Sequence, residues 1–297
     1  MSTDCTRHVR ATRPVSGRRR AGGVVARLRV VGCVAAVWGC AVALVNAAEL
    51  KTKTLEAWER YVTVTEARMQ TQLDGEAPFL WVDSLVDDER AAVYARLRGG
   101  EVVVDKLETR EHGDKIKVPD GRIHHWIGTS LIPGVTLDQT MALVQDYPRY
   151  AEIYGPDVRQ SRLLEQDGSR FRVYFQFYTK KVWTVVLNTE HDVEYQFLDD
   201  ARAYVPSRST RILEIDGPGT PDEREKPEGN DRGTMWRFNN YCSFEARDDN
   251  VYMQCESISL SRGIPFFVRA FVGPFVNGLP RDKLTASLEA TRRHLTQ

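Results

Sequence analysis

The chain has 297 residues, 42% hydrophobic and 28% charged, with 41 basic and 41 acidic side chains. That is the composition of a soluble globular protein with enough chain for one large domain or two small ones. The balanced charge hides an asymmetry: residues 1–48 hold eight arginines and one acid, so 41 less 8 leaves 33 basic and 41 less 1 leaves 40 acidic residues, a net of −7. A mildly acidic remainder argues against nucleic acid or an anionic membrane as the main partner.

Residues 1–48 read as a targeting segment. Arg7, Arg10, Arg13, Arg18, Arg19, Arg20, Arg27 and Arg29 form a basic region, Val30 to Val45 carries no charge, and Val45-Asn46-Ala47 offers small residues at a cleavage site. The reading is a signal peptide, with an uncleaved N-terminal membrane anchor as the alternative. Both put the globular part outside the cytoplasm, in the periplasm or secreted. Cys33 and Cys40 sit in weak lipoprotein-like boxes, but neither follows a complete apolar run.

Residues 49–120 form an N-terminal, mostly helical extension. Leu55, Trp58, Val62, Thr65, Met69 and Leu73 recur at helical steps, and Asp87 to Leu97 reads as a second helix stopped by Gly99-Gly100. Glu101 to Leu107 is a short valine-rich strand, and Glu108 to Gly121 a polar loop.

Residues 121–297 carry the main domain. A strand over Arg122 to Leu131 leads through Pro133-Gly134 into a helix opened by Thr136 and Gln139, a capping box that satisfies two orphan amides. Pro148 starts the next short helix. A meander follows from Val158 to Ser261. Phe171, Val173, Phe175 and Phe177 alternate with polar residues, and so do Leu187, Thr189, His191, Val193, Tyr195 and Phe197, the period of antiparallel strands with one wet face. Ala203 to Ile215, Thr234 to Ala246 and Val251 to Ser261 continue it, and Asp216 to Gly233 reads as a flexible loop. A two-residue turn at Asp248-Asp249 would pair Arg247 with Asn250 and set Cys242 opposite Cys255. A disulfide and two buried free thiols both fit that register. The closing helix runs from Pro280 to Leu295, with Leu284, Leu288 and Leu295 on its buried side. The expected class is α+β: a curved antiparallel sheet wrapped around a long C-terminal helix.

This order, together with VQDYPRYAEIYGPDV (Val144 to Val158) and GPFVNGLPRDKLTASLEATRRHL (Gly273 to Leu295), resembles the START-like helix-grip superfamily, SRPBCC or Bet v 1-like, and within it coenzyme Q-binding and polyketide cyclase-type proteins. The resemblance implies an elongated apolar cavity between sheet and helix. Its partner would be a hydrophobic small molecule, a lipid, quinone or polyketide-like compound.

For such a cavity the candidate ligand-binding residues are Phe175, Phe177, Leu187, Thr189, His191, Tyr195, Arg208, Trp236, Phe238, Glu256, Phe271, Phe275, Leu284 and Leu288. Arg208 or Arg211 paired with Glu256 would hold a polar head group, the alternative being an exposed cross-strand pair. Phe266, Phe267, Phe271 and Phe275 suit a gate, simple packing or transient membrane contact. His191, on an apolar strand face, is the candidate general base or hydrogen-bonding anchor, against the plainer reading of a core histidine bonded to Thr189. His124 and His125 are adjacent on a strand and point to opposite faces, so they cannot share an ion. No metal spacing, phosphate loop or dinucleotide fingerprint is present, and no cofactor is expected. The function that follows is an exported, non-catalytic binding protein. The alternatives are a cyclase- or hydratase-type enzyme using His191, and an envelope interaction protein without a cavity.

Overall fold

The period-two segments form the expected strands. The structure, a computed structural model, describes residues 52–180, 184–227, 231–263 and 266–297, with the backbone only over 266–277. The targeting segment of the sequence reading lies outside the described residues. So do the side chains of Phe266, Phe267, Phe271 and Phe275.

The extension supplies helix α1 over 52–73, a 3-10 turn at Trp81–Ser84, helix α2 at Asp87–Arg98 and strand β1 at Val103–Lys106. The polar loop that follows contains a small hairpin, β2 (Arg110–Glu111) with β3 (Asp114–Lys115). Then come β4 (Gly121–Pro133), α3 (Leu137–Gln145), a 3-10 turn at Tyr147–Arg149 and α4 (Tyr150–Ile153). The α3 capping box forms, with Gln139 N donating to Thr136 Oγ1 at 3.2 Å and Thr136 N donating to Gln139 Oε1 at 2.9 Å.

The meander is β5 (Val158–Asp167), β6 (Arg170–Lys180), β7 (Thr184–Glu194), β8 (Gln196–Phe197), β9 (Arg202–Asp216), β10 (Arg224–Glu225), β11 (Arg237–Arg247) and β12 (Asn250–Arg262). The sheet runs β1-β4-β12-β11-β9-β7-β6-β5, antiparallel throughout, with β8 and β10 also on β9. Bulges in β5 and at Glu190/His191 break the ladder, and such insertions bend and twist a strand. The segment 216–233 is less free than its composition suggests. Through β10 it pairs with β9, and Arg211 binds Glu225 at 2.5 Å.

Helix α5 spans Phe266–Leu295 and so begins fourteen residues before Pro280. Proline removes one amide but holds a φ that suits a helix, so Pro274 and Pro280 weaken the ladder without ending it. A long contact with β4 supports the later turns, where Leu284 and Leu288 are buried. They lie over Gly128, where a Cβ would come within 2.6 Å of Leu288 and 3.2 Å of Leu284, so the missing side chain lets helix and strand close up.

The sheet is covered on both sides. The face toward α3 and α5, here the inner face, carries Phe171, Val173, Phe175, Val193, Val205, Cys242, Phe244, Met253 and Cys255. The outer face meets α1 through Trp58, Tyr61, Met69, Tyr204, Tyr241, Ile258 and Leu260, and meets α2 and the Trp81–Ser84 turn through Leu80, Val82, Leu97, Leu131 and Tyr252. Leu50–Gln297 forms one compact unit. The turn at Asp248-Asp249 has both residues at left-handed φ (50° and 59°), as a two-residue type I′ hairpin needs. It pairs Arg247 with Asn250 and Cys242 with Cys255, whose Cα atoms are 4.1 Å apart and which are joined by a disulfide. Among the described residues no helix is long and apolar enough to cross a membrane.

Candidate functional site

The inner face is not uniformly apolar. One row crosses four strands in register: Ser207 on β9, Asn240 on β11, Ser257 on β12 and Trp126 on β4. All four are half-buried, whereas the next row toward the core, Val205, Cys242 and Cys255, is buried. Phe177 and Phe238, half-buried as well, flank the row and join a second apolar cluster of Val185, Leu187, Ile212 and Met235. The main core and this smaller cluster are therefore distinct zones of one face, with the polar row near their junction.

His191 is the focus of that junction. It is 1% exposed, with its ring 5.5 Å from Phe175, 6.2 Å from Phe177 and 5.9 Å from Phe238. Thr189 Oγ1 donates to the carbonyl of Phe175 at 3.2 Å, so at 3.1 Å it accepts from His191 Nε2–H. That assigns the tautomer and leaves Nδ1 as an acceptor, with Ser207 Oγ at 3.5 Å, the long limit of a hydrogen bond. Burial pushes the imidazole down to a pKa of about 3. It is neutral at physiological pH, a good hydrogen-bond partner and a weak base.

Of the candidates drawn from sequence, Phe175, Phe177, Leu187, Thr189, His191 and Phe238 come together here. Leu284 and Leu288 serve the main core beneath α5. Tyr195 falls in the break between β7 and β8, and its hydroxyl is spent on the carbonyl of Val144 (2.7 Å) and on Tyr147 Oη (2.6 Å), tying the strand end to α3. Phe271 and Phe275 belong to the part of α5 described by backbone alone.

Arg208, Glu256 and Trp236 are on the other side of the sheet, and this corrects the head-group clamp expected from sequence. Arg208 Nε binds Glu66 Oε1 of α1 at 2.7 Å. Glu256 binds Arg68 of α1 and accepts from His125 Nε2 at 2.6 Å. His125 Nδ1 meets Tyr61 Oη at 2.8 Å. Burial raises the pKa of Glu256, but the bond from His125 and the nearby Arg68 outweigh it and hold the carboxyl below its usual range. Trp236 precedes β11 and packs with the outer cluster of Ile258 and Leu260. Arg211 likewise faces Glu190 and Glu225, not Glu256. The physical reason is α1, whose acids and arginine supply partners that the sheet residues would otherwise lack.

The adjacent histidines do point apart. His124 Nε2 meets Ser261 Oγ at 3.0 Å on the inner side, while burial, helped by Arg122 and Lys106, lowers its pKa to about 4. No group of three metal-ligating side chains occurs among the described residues. Sequence reasoning missed Ser207 and Ser257. The available signal was parity, since Ser207 and Ser209 alternate with the charged Arg208 that drew attention instead.

A strand and two short helices precede an antiparallel meander, the last meander strand returns beside the first strand, and the C-terminal helix lies on the face so formed. This is a helix-grip arrangement, a curved antiparallel sheet against a long C-terminal helix. No protein-family model matches the chain, and no curated protein does. Solved structures similar to the helix-grip include the Zhui aromatase/cyclase of a Streptomyces strain, at 12% identity and TM-score 0.42 over 59% of this chain and 94% of that one. A STAR-related lipid transfer protein from Xanthomonas axonopodis is similar at 16% identity and TM-score 0.42 over 65% and 99%. A human lipid transfer and protein localization domain is similar at 8% identity and TM-score 0.39 over 72% and 98%.

Proposed function

We propose that the protein binds a hydrophobic small molecule between the inner sheet face and α5. The observation that carries this reading is the half-buried row Ser207–Asn240–Ser257–Trp126, bordered by Phe177 and Phe238, on the sheet face that α5 packs against at β4 and β12. Apolar surface that stays accessible inside a fold gains about 25 cal/mol per Å² when a ligand covers it. The few polar groups beside it fix the ligand's orientation. A lipid, quinone or polyketide-like molecule suits such a site.

Export to the periplasm or beyond is part of the same proposal. It is supported by the arginine-rich start, the uncharged run from Val30 to Val45 and the Cys242–Cys255 disulfide, which an oxidising compartment sustains. A cyclase- or hydratase-type activity is the second reading, favoured by the bond between His191 and Thr189 and the approach of Ser207. Native mass spectrometry of the purified chain, with solvent extraction of what it carries, tests the binding reading. A bound apolar molecule, or saturable quenching of tryptophan fluorescence by an added one, is the expected result. A protein that is empty and takes up neither lipid nor quinone removes the basis of the proposal.

A further inference from the structure

We infer that the inner-face site selects apolar molecules whose buried end is an uncharged hydrogen-bonding group, a hydroxyl above all, and discriminates against carboxylates and phosphates. The inference rests on the binding reading above and adds the ligand's chemistry. Among the described residues, the polar side chains gathered around His191 include Thr189, Ser207, Ser209, Asn240 and Ser257, all neutral. Around them stand the rings of Phe175, Phe177, Phe238 and Trp126.

Among the described residues, the charged groups near this face are already committed or distant. Glu214, cross-paired with Leu187, is buried and held by Lys226 Nζ at 2.9 Å, by Arg232 Nε at 3.3 Å and by the Arg232 amide at 3.0 Å. Lys283 of α5 is bound to Asp157 at 2.5 Å. Arg122 shares the inner side of β4 but lies four residues from Trp126, about 13 Å along the strand. Arg208 and Arg68, the cations an anionic head would need, are on the outer face with Glu66 and Glu256. An anion entering this site would give up water with no uncommitted cation beside it among the described residues.

The direction of the imidazole sharpens the choice. With Nε2–H given to Thr189, the atom facing Ser207 is the Nδ1 lone pair. A ligand hydroxyl can donate to Nδ1 and accept from Ser207 or Asn240, so both of its functions are met. A carboxylate can only accept, and Nδ1 offers it a second lone pair. Recruiting a proton onto Nδ1 to receive it is disfavoured at neutral pH, since burial holds the pKa near 3.

Three chain-matched probes test this on the full-length protein at pH 7.5: 1-dodecanol, dodecanoate and dodecane, each titrated by calorimetry or tryptophan fluorescence. Dodecanol is expected to bind at least tenfold more tightly than dodecanoate. Ser207→Ala and Asn240→Ala are expected to erase most of dodecanol's advantage over dodecanoate, with circular dichroism and thermal melting showing that the variants fold. Dodecanoate binding as well as dodecanol overturns the inference and leaves the apolar-binding reading standing. An advantage for dodecanol that survives both substitutions also overturns it, because the selectivity then lies elsewhere. If none of the three binds, the binding reading falls and this one with it.

Discussion

The two faces of the sheet come from the same strands and could hardly differ more. The inner face is aromatic, with neutral polar groups half-open at its centre. The outer face holds charge in quantity: Glu256 with His125 and Arg68, Glu66 with Arg208 and Tyr241, Asp83 with Arg247 and Tyr94. Strand residues alternate sides, so neighbours such as Ser207 and Arg208, or Ser257 and Glu256, are separated by one step in sequence and by the whole thickness of the sheet in space. Ionic groups collect where an added helix brings counter-charges. Neutral groups collect where solvent or a ligand must complete them.

The contrast can be tested by damaging one face and reading the other. Glu256→Ala has the largest expected effect. It strips His125 and Arg68 of their shared carboxylate, and loss of one member of a buried pair costs about 3 kcal/mol. Urea denaturation should record that loss, while affinity for an apolar ligand stays within twofold. A collapse of affinity at full folding would mean the two faces are coupled.

The second test is acid. The folded pKa of His191 is about 3 and that of His124 about 4, against about 6.5 for an unfolded histidine. As pH falls below 6.5 the unfolded chain takes up these protons first. The stability these histidines allow is therefore full above pH 6.5, and is lost down to about pH 4 for His124 and about pH 3 for His191. Each contributes a slope of up to about 1.4 kcal/mol per pH unit. His191→Gln should flatten the curve measurably across that window, and an unchanged slope would show that the imidazole is not buried as described. The smallest effect is expected for Arg208→Ala. Its ion pair with Glu66 is half exposed, so it should cost less than about 1 kcal/mol and leave ligand affinity untouched. A large affinity loss there would restore the head-group clamp that the sequence first suggested.

Much of the architecture was legible because its determinants are local. Alternation in Phe171 to Phe177 and Leu187 to Val193, the Thr136–Gln139 capping box and the Asp248-Asp249 turn each act over a few residues, and each produces the element read from it. The start of α5 was not legible, because proline's local cost was weighed without the sheet that supports the helix. Nor was the side taken by Glu256, Arg208 and Trp236. Pattern says which residues share a face, but the covering element decides what that face becomes. Tyr61 of α1, which completes the His125–Glu256 chain, lies 64 residues from His125 in sequence. Within the site, His191 with Thr189 was readable from a single strand, whereas the Ser207–Asn240–Ser257 row needed the register of three.

The hairpin at Asp248-Asp249 therefore does more than reverse the chain. Insert one residue there and carry the shift through the pairing, and every side chain from Val251 to Arg262 changes sides. Glu256 would move to the inner face without Arg68, Ser257 would leave the row it shares with Asn240 and Trp126, and Cys255 would turn its sulfur away from Cys242. The length of a two-residue loop thus keeps Glu256 and its ion pairs off the inner face.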